Sequence, residues 1–313
     1  MGWRLGPLLL LCLPALAGCA EPAAERASAP FEPVPAETVS PRQPQSTSPM
    51  DSAKIDRFKQ RIGFDAAFVG EPAESVAVAW PDPRMAPGID LAQWSLAGDT
   101  TYPTSGGVLR EWVLRQGPRQ LSIAVFVSSV GAEPARQFLL ARATENMLVD
   151  APYVRLPDGP GTLAVTLPEP VPTDLIWVFR NVAIQVRDDD AGVDVPAIAR
   201  WLQGTAERGI KPYPSVRARL PGPLAATPAR AVVGEPIAVR LRIDDPVVAS
   251  RWMIRLDDDR QAINVSALDR LGATIEGLAP GRLVLGVLAI DSSTLLSVRR
   301  DVPLEITAAA GRP

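Results

Sequence analysis

Histidine is absent from all 313 residues. That absence removes Ser-His-Asp and Cys-His catalysis, and with them every histidine-ligated metal site. Lysine occurs only three times, as Lys54, Lys59 and Lys211. A Ser-Lys dyad would have to use one of these, and none falls in the kind of apolar stretch that makes a lysine a base. Cysteine occurs only twice, at 12 and 19. The net charge of −3 is small and spread out, so there is no basic footprint for nucleic acid. No apolar run is long enough to span a bilayer.

What is present begins with a three-zone start. Met1 to Arg4 is short and positive, Leu5 to Pro14 is leucine-rich, and Leu16-Ala17-Gly18-Cys19 closes it with small residues. This is the layout of a secretory signal. The tetrapeptide resembles a bacterial lipobox. That resemblance implies cleavage between Gly18 and Cys19, a diacylglycerol on the Cys19 thiol and an acylated new amino terminus. Each buried acyl CH₂ contributes about 0.8 kcal/mol, so several chains together anchor stably. Cys12 would leave with the signal, and with Cys19 modified no disulfide could form within the chain. Ala20 stands where enteric lipoproteins carry the aspartate that retains them in the inner membrane. The resemblance therefore implies an outer-membrane lipoprotein with its folded part in the periplasm, and the membrane as its first partner.

Seven segments are expected: signal 1–18, anchored tether 19–50, short helix and linker 51–75, α+β domain 76–210, Pro-rich joint 211–215, β-sandwich 216–308 and tail 309–313. The tether is Pro-, Ala-, Glu-, Ser- and Thr-rich with Phe31 as its one large apolar residue, a composition expected to be disordered. Ile55, Phe58 and Ile62 follow at helical spacing. In the α+β domain, Leu121, Ile123, Val125 and Val127 alternate as a strand should, with Val108 to Leu114 as its upstream partner. Ala132 to Val149 reads as a helix, then Tyr153–Leu156 and Thr162–Leu167 as strands. Leu175 to Asp190 reads as a hairpin turning at Arg180-Asn181. Asp194 before Val195-Pro196 starts a second helix. The expected order is β-β-α-β-β-β-α, a mostly antiparallel sheet with both helices on one face. "GDTTYPTSGG" (98–107) reads as a loop.

Beyond Lys211-Pro212-Tyr213-Pro214 the pattern predicts strands alone, beginning with Val216, Ala218 and Leu220. Ile237, Val239, Leu241 and Ile243 alternate with polar or small residues, and Arg282 to Ile290 is apolar on both faces. About seven strands are expected. "VVGEPIAVRLRI" (232–243), Trp252 and "LAPGRLVLGVLAID" (278–291) resemble a bacterial immunoglobulin-like or fibronectin-III-like module. The resemblance places Trp252 in the core. It departs from the pattern at Leu283, where a corner tyrosine is common, and in lacking intersheet cysteines. The switch in periodicity predicts two cores separable near Lys211–Ser215.

Chemistry-bearing constellations are few. Asp188-Asp189-Asp190, Asp257-Asp258-Asp259 and Asp244-Asp245 are the densest carboxylate runs, and strand-end solvation is their expected role. No cofactor is expected. One structural calcium is the alternative, although the runs lack EF-hand order. Trp112, Trp177 and Trp201 fall on apolar faces and are expected in the core. Trp80 and Trp94 lie in less regular sequence and are the candidate ligand contacts. The expected function is a non-catalytic envelope module that binds or assembles with another envelope protein. A carrier of an apolar ligand is the alternative, and a carboxylate glycan hydrolase a remote one.

Replacing Cys19 with serine should leave the protein unprocessed or soluble. Membrane fractionation and intact mass check this, and an unchanged distribution and mass would sink the lipoprotein reading.

Overall fold

Strands β3 (Gly107–Gln116), β4 (Arg119–Ser128), β7 (Asp174–Phe179) and β8 (Val182–Asp188) carry apolar side chains on both faces, which decides the architecture around them. The structure is a computed structural model. It describes residues 49–72, 74–104, 106–145, 150–190, 192–218, 220, 224–241, 248–256, 263–268 and 272–308. The signal, Cys19 and the tether to residue 48 lie outside this set, as do the tail and the acidic runs at 244–245 and 257–259. Among the described residues the protein is β-rich, and its sheets are antiparallel but for one strand pair.

The element order is α1 (Pro49–Ile62), α2 (Phe64–Ala67), β1 (Ala77–Val78), β2 (Ser95–Thr104), β3, β4, α3 (Glu133–Thr144), β5 (Val154–Arg155), β6 (Leu163–Thr166), β7, β8 and α4 (Val195–Arg208). Strands β2 to β8 form one seven-stranded antiparallel sheet in the order β2-β3-β4-β8-β7-β6-β5. β2 corrects two expectations. It adds a third strand of the large sheet before α3, and it takes residues 98–104 out of the expected loop. It escaped notice because it is an edge strand exposed on most of its length, so it has no apolar alternation to read.

The helices do not share a face. Leu175, Trp177, Ile184 and Val186 point to one side, where α4 covers them with Val195, Ile198, Leu202 and Ala206. Ile176, Val178, Ala183 and Phe126 point to the other, covered by Ala135, Leu139, Leu140 and Ala143 of α3 and by Phe58 and Ile62 of α1. A strand apolar on both sides leaves one side wet if both helices pack together. At about 1.5–3 kcal/mol per large side chain, covering both faces wins. The helix at 51–62 is thereby part of this core.

The two residues of the hairpin turn play different parts. Arg180, not the asparagine, takes the left-handed conformation (φ 53°), which costs about 1–2 kcal/mol. Its N–H donates to the Glu71 carboxylate at 3.2 Å, and Glu71 also accepts from Arg136 Nη2 (2.8 Å) and Thr162 Oγ1 (2.6 Å). Asn181 is buried as a connector. Its Oδ1 accepts from Val76 N at 2.6 Å, and its Nδ2 donates to the carbonyls of Val76 and Ser128.

After α4, β9 (Ile210–Lys211) pairs with β1, and Tyr213–Ala218 forms α5. Val216 and Ala218 are therefore helical, not on a strand. Pro214 occupies the second position of this helix, where its missing N–H is no loss. Eight strands follow: β10 (Ala225–Thr227), β11 (Arg230–Val232), β12 (Pro236–Arg240), β13 (Val248–Leu256), β14 (Ile263–Leu268), β15 (Gly272–Gly277), β16 (Gly281–Asp291) and β17 (Ser297–Thr307). They form two four-stranded sheets, β10-β12-β15-β14 and β11-β17-β16-β13. Ile237, Val239 and Ile275 of one sheet and Leu283, Leu285, Val287 and Leu304 of the other build a shared core. Trp252 pairs through its backbone with Val287, and its side chain lies outside the described part.

Residues Thr47–Pro313 form one compact unit. The β16–β17 loop explains why. Asp291 Oδ1 gathers Ser293 N (2.9 Å), Ser293 Oγ (2.6 Å) and Thr294 N (3.1 Å), which tightens the turn. Leu295 and Leu296 then enter the core beneath α4, at 0 and 1% exposure. Ser293 O accepts from Trp80 N at 3.1 Å, and Ser297 N donates to Ser129 Oγ at 2.7 Å.

Leu296→Ala should cost about 2–5 kcal/mol. Because the loop serves both halves, tryptophan fluorescence and far-ultraviolet circular dichroism should report one coincident urea transition. Two separated transitions in the parent protein would show that the halves are energetically independent.

Candidate functional site

On the α3 face of the large sheet, the residues change character from one end to the other. Register places Leu109, Phe126, Ala183 and Val178 in one row across β3, β4, β8 and β7. The next row on this face is Glu111, Ala124, Gln185 and Ile176, and the next Val113, Ser122, Arg187 and Asp174. Helix α3 covers the apolar row, where Phe138 stacks on Phe126 with ring centroids 5.0 Å apart. Its last turn stops over the polar rows. Ser122 and Ala124 are too small to fill the space left there, and a cleft of about 290 Å³ results.

Three hydrogen-bonded groups shape it. At the base, Asp174 is 4% exposed. Its carboxylate accepts from Tyr153 Oη at 2.6 Å and from Gln185 Nε2 at 3.0 and 3.2 Å, while its carbonyl accepts from Thr166 Oγ1. On the far wall, Arg142 Nη2 sits 2.5 Å from Glu111 Oε1, and Arg142 Nη1 reaches Glu145 at 3.5 Å. At the rim, Arg187 Nε donates to Asp189 Oδ1 at 2.6 Å, which raises Arg187 above its ordinary range. Burial, then the bond to Asp174, lifts Tyr153 far above the usual tyrosine range. Tyr102, beside Glu111, is pushed up to about 12, by burial first and by that carboxylate second.

The residues singled out from the sequence lie elsewhere. Trp94 is buried in the core on the α4 side, and Trp80 packs against that core where the β16–β17 loop docks. Neither lines the cleft. Asp188 is fully buried rather than solvated, because its carboxylate ties a loop through Asp190 N (3.2 Å), Gly192 N (2.5 Å) and Val193 N (2.8 Å). Among the described residues, no three acidic side chains converge closely enough to hold a metal ion. Also among them, no helix is long and apolar enough to cross a membrane. Glu111, Arg142, Tyr153, Asp174, Gln185 and Arg187 were not foreseen. The signal for them was polar residues at alternate positions of otherwise apolar strands, as in "VAIQVRD" (182–188).

No family model matches this chain, and no curated protein resembles it in sequence.

The tyrosine environment gives a pH test. An unfolded tyrosine titrates near pH 10. With the folded values raised, native protein holds protons that the unfolded chain has released. This contribution to stability is full below about pH 10 and is lost as pH rises through the folded-state values. The tyrosinate absorbance should stay incomplete at about pH 11 in native protein and reach its full amplitude on adding urea. Full ionisation of native protein at that pH would contradict the buried Tyr153–Asp174 pair.

Proposed function

We propose that this chain is a lipid-anchored lipoprotein of the bacterial outer membrane. Its folded part works in the periplasm as a non-catalytic module that binds another envelope component. Anchoring rests on the lipobox resemblance at Leu16–Cys19 and the apolar segment before it. The two-part reading of the body, an α+β domain followed by an immunoglobulin-like sandwich, is supported by strand order. In the second part β11 runs parallel to β17, the last strand, at the edge of one sheet, while β10 begins the other.

The cleft carries the binding reading. It is open and floored by small residues, and its carboxylates are already held by donors: Asp174 by Tyr153 and Gln185, Glu111 by Arg142. Groups fixed in this way hold a shape and present a pattern. Polarity also favours a polar partner group over an apolar cargo, since the apolar part of this sheet face is filled by α3 and α1. The sandwich is docked through Leu295 and Leu296, which are buried in the core of the first part.

A photo-crosslinking residue at Gln120, on the cleft rim, should capture a discrete partner in intact cells. Ser122→Trp, which fills the floor, should abolish that adduct. An adduct that persists unchanged in the Ser122→Trp variant would put the contact outside the cleft.

A further inference from the structure

The outer edge of β2 closes one end of the large sheet, and two tight turns fix which of its backbone groups point outward. β3 passes into β4 through Gly117-Pro118, so Gln116 and Arg119 exchange both backbone bonds. Alternation then gives β4 the even residues of β3, Val108, Arg110, Trp112 and Leu114. The odd ones, Leu109, Glu111 and Val113, are left for β2. The tight turn between Thr104 and Gly107 gives the same answer from the other side. Hence Gly98, Thr100, Tyr102 and Thr104 bond inward to β3, while Asp99, Thr101 and Pro103 turn their backbone groups outward. Asp99 and Thr101 are exposed, and among the described residues no strand pairs with this edge. Pro103 has no N–H to offer, and the bulge at Ala97 interrupts the row at its other end. Such defects blunt an edge. Between them, Asp99 and Thr101 keep a full set of donors and acceptors.

We propose that this edge pairs with the same edge of a second copy of the chain, antiparallel and centred on Thr100. Outward residues must face outward residues, so the two-fold axis can sit at Asp99, Thr100 or Thr101. Centring on Asp99 sets two aspartates directly opposite each other, which is destabilising. Centring on Thr101 sets Asp99 opposite Pro103, whose missing N–H loses a bond in each half. Centring on Thr100 pairs Asp99 of each copy with Thr101 of the other, and four backbone hydrogen bonds form. It also sets Pro103 opposite the bulged Ala97, so both defects fall together outside the bonded region. Charge agrees with this register. Asp99 binds its own Arg110 at 2.7 Å, and Arg110 is the cross-strand partner of Thr101. The second copy's Arg110 therefore lies in the same row as Asp99, and each carboxylate is flanked by a guanidinium from each chain. On the other face the second copy's Tyr102 stands opposite Gly98, where a ring can cover a bare glycine. The result is one continuous sheet of two seven-stranded halves. Antiparallel pairing about this axis opens both clefts on the same face, with Thr100 of each copy between the two Glu111 side chains.

This pairing depends neither on the cleft being a binding site nor on the lipid anchor. Sedimentation velocity of detergent-solubilised full-length protein should show a dimer whose share grows with concentration. Thr101→Pro deletes an outward N–H that the single chain does not use. It should keep the parent's circular dichroism and weaken dimerisation at least about tenfold. Thr101→Val retains that N–H and should dimerise as the parent does. Cysteine trapping then reads the register. Thr100→Cys sets two thiols across the axis at a Cα separation of about 4.5 Å, within disulfide range. Thr101→Cys, one residue along the same exposed strand, sets them about 8–9 Å apart, beyond that range. Mild oxidation should trap a dimer of the first variant and not of the second, with the parent as baseline for Cys12 and Cys19. A purely monomeric protein at about 0.1 mM, above the Kd of specific interfaces of standard size, overturns the pairing. So does equal trapping of both variants, or a dimer that Thr101→Pro leaves untouched. Capture of a different protein by Thr100→Cys in intact cells, without a dimer, would give the edge to another chain's strand and overturn the second copy as its occupant.

Discussion

A sheet that is apolar on both sides is the constraint from which the rest follows. In β7, Leu175 and Trp177 face one way and Ile176 and Val178 the other, and all four are fully buried. Neither face can be left wet, so the chain must deliver cover to both. It does so with α4 on one side and with α3 and α1 on the other. The side with α4 also needs Val76, Ala77 and Val78, Trp94 and two leucines from the sandwich loop to close it. The second half of the molecule is therefore attached by apolar burial, not by a linker alone. At about 2 kcal/mol for each fully buried leucine, Leu295 and Leu296 make a sizeable share of a typical domain stability of about 5–15 kcal/mol.

The same constraint, incompletely met, produces the cleft. Helix α3 has twelve residues and spans about 18 Å, whereas the ten residues of β4 beneath it span about 33 Å. Where the helix ends, the sheet face would be exposed apolar surface had the sequence continued with leucine and valine. Instead it turns to Ser122, Gln185, Arg187 and Asp174. Among the described residues, the site is thus the place where cover runs out and the strands change composition to match. Its side chains stand on central strands backed by a full core, which holds them in place.

Two polar groups lock the parts together. Glu71, between α2 and β1, joins the segment ahead of the sheet to α3 through Arg136 and to the β7–β8 turn through Arg180. Asn181 joins the turn to Val76 and to the end of β4. Both are buried and hydrogen-bonded at several atoms. Losing either would leave several buried groups unsatisfied, each at about 1–3 kcal/mol.

Local pattern was enough for much of this. The hairpin at 180–181, the strand at 121–127, the capped start of α4 at Asp194 and the alternation of 237–241 are all written in spacing of two or of three to four residues. The proposed anchor likewise rests on four letters, Leu16 to Cys19. Other features were hidden because their cause is not local. β2 is strand only because β3 offers it a partner along ten residues. Which face each helix covers depends on which sheet side is still open, and that is decided by all seven strands together. Asp188 looked like one of three solvated aspartates until the loop closed over it. The candidate site is the clearest case. Glu111, Ser122, Asp174, Gln185 and Arg187 come from four separate strands and meet only through register, and Arg142 meets them only because α3 ends where it does. Sequence alone determined which segments could be strands, helices or an anchor. Tertiary structure decided which of their side chains share a cavity, because register and helix placement minimise exposed apolar surface over the whole sheet and not within any one segment.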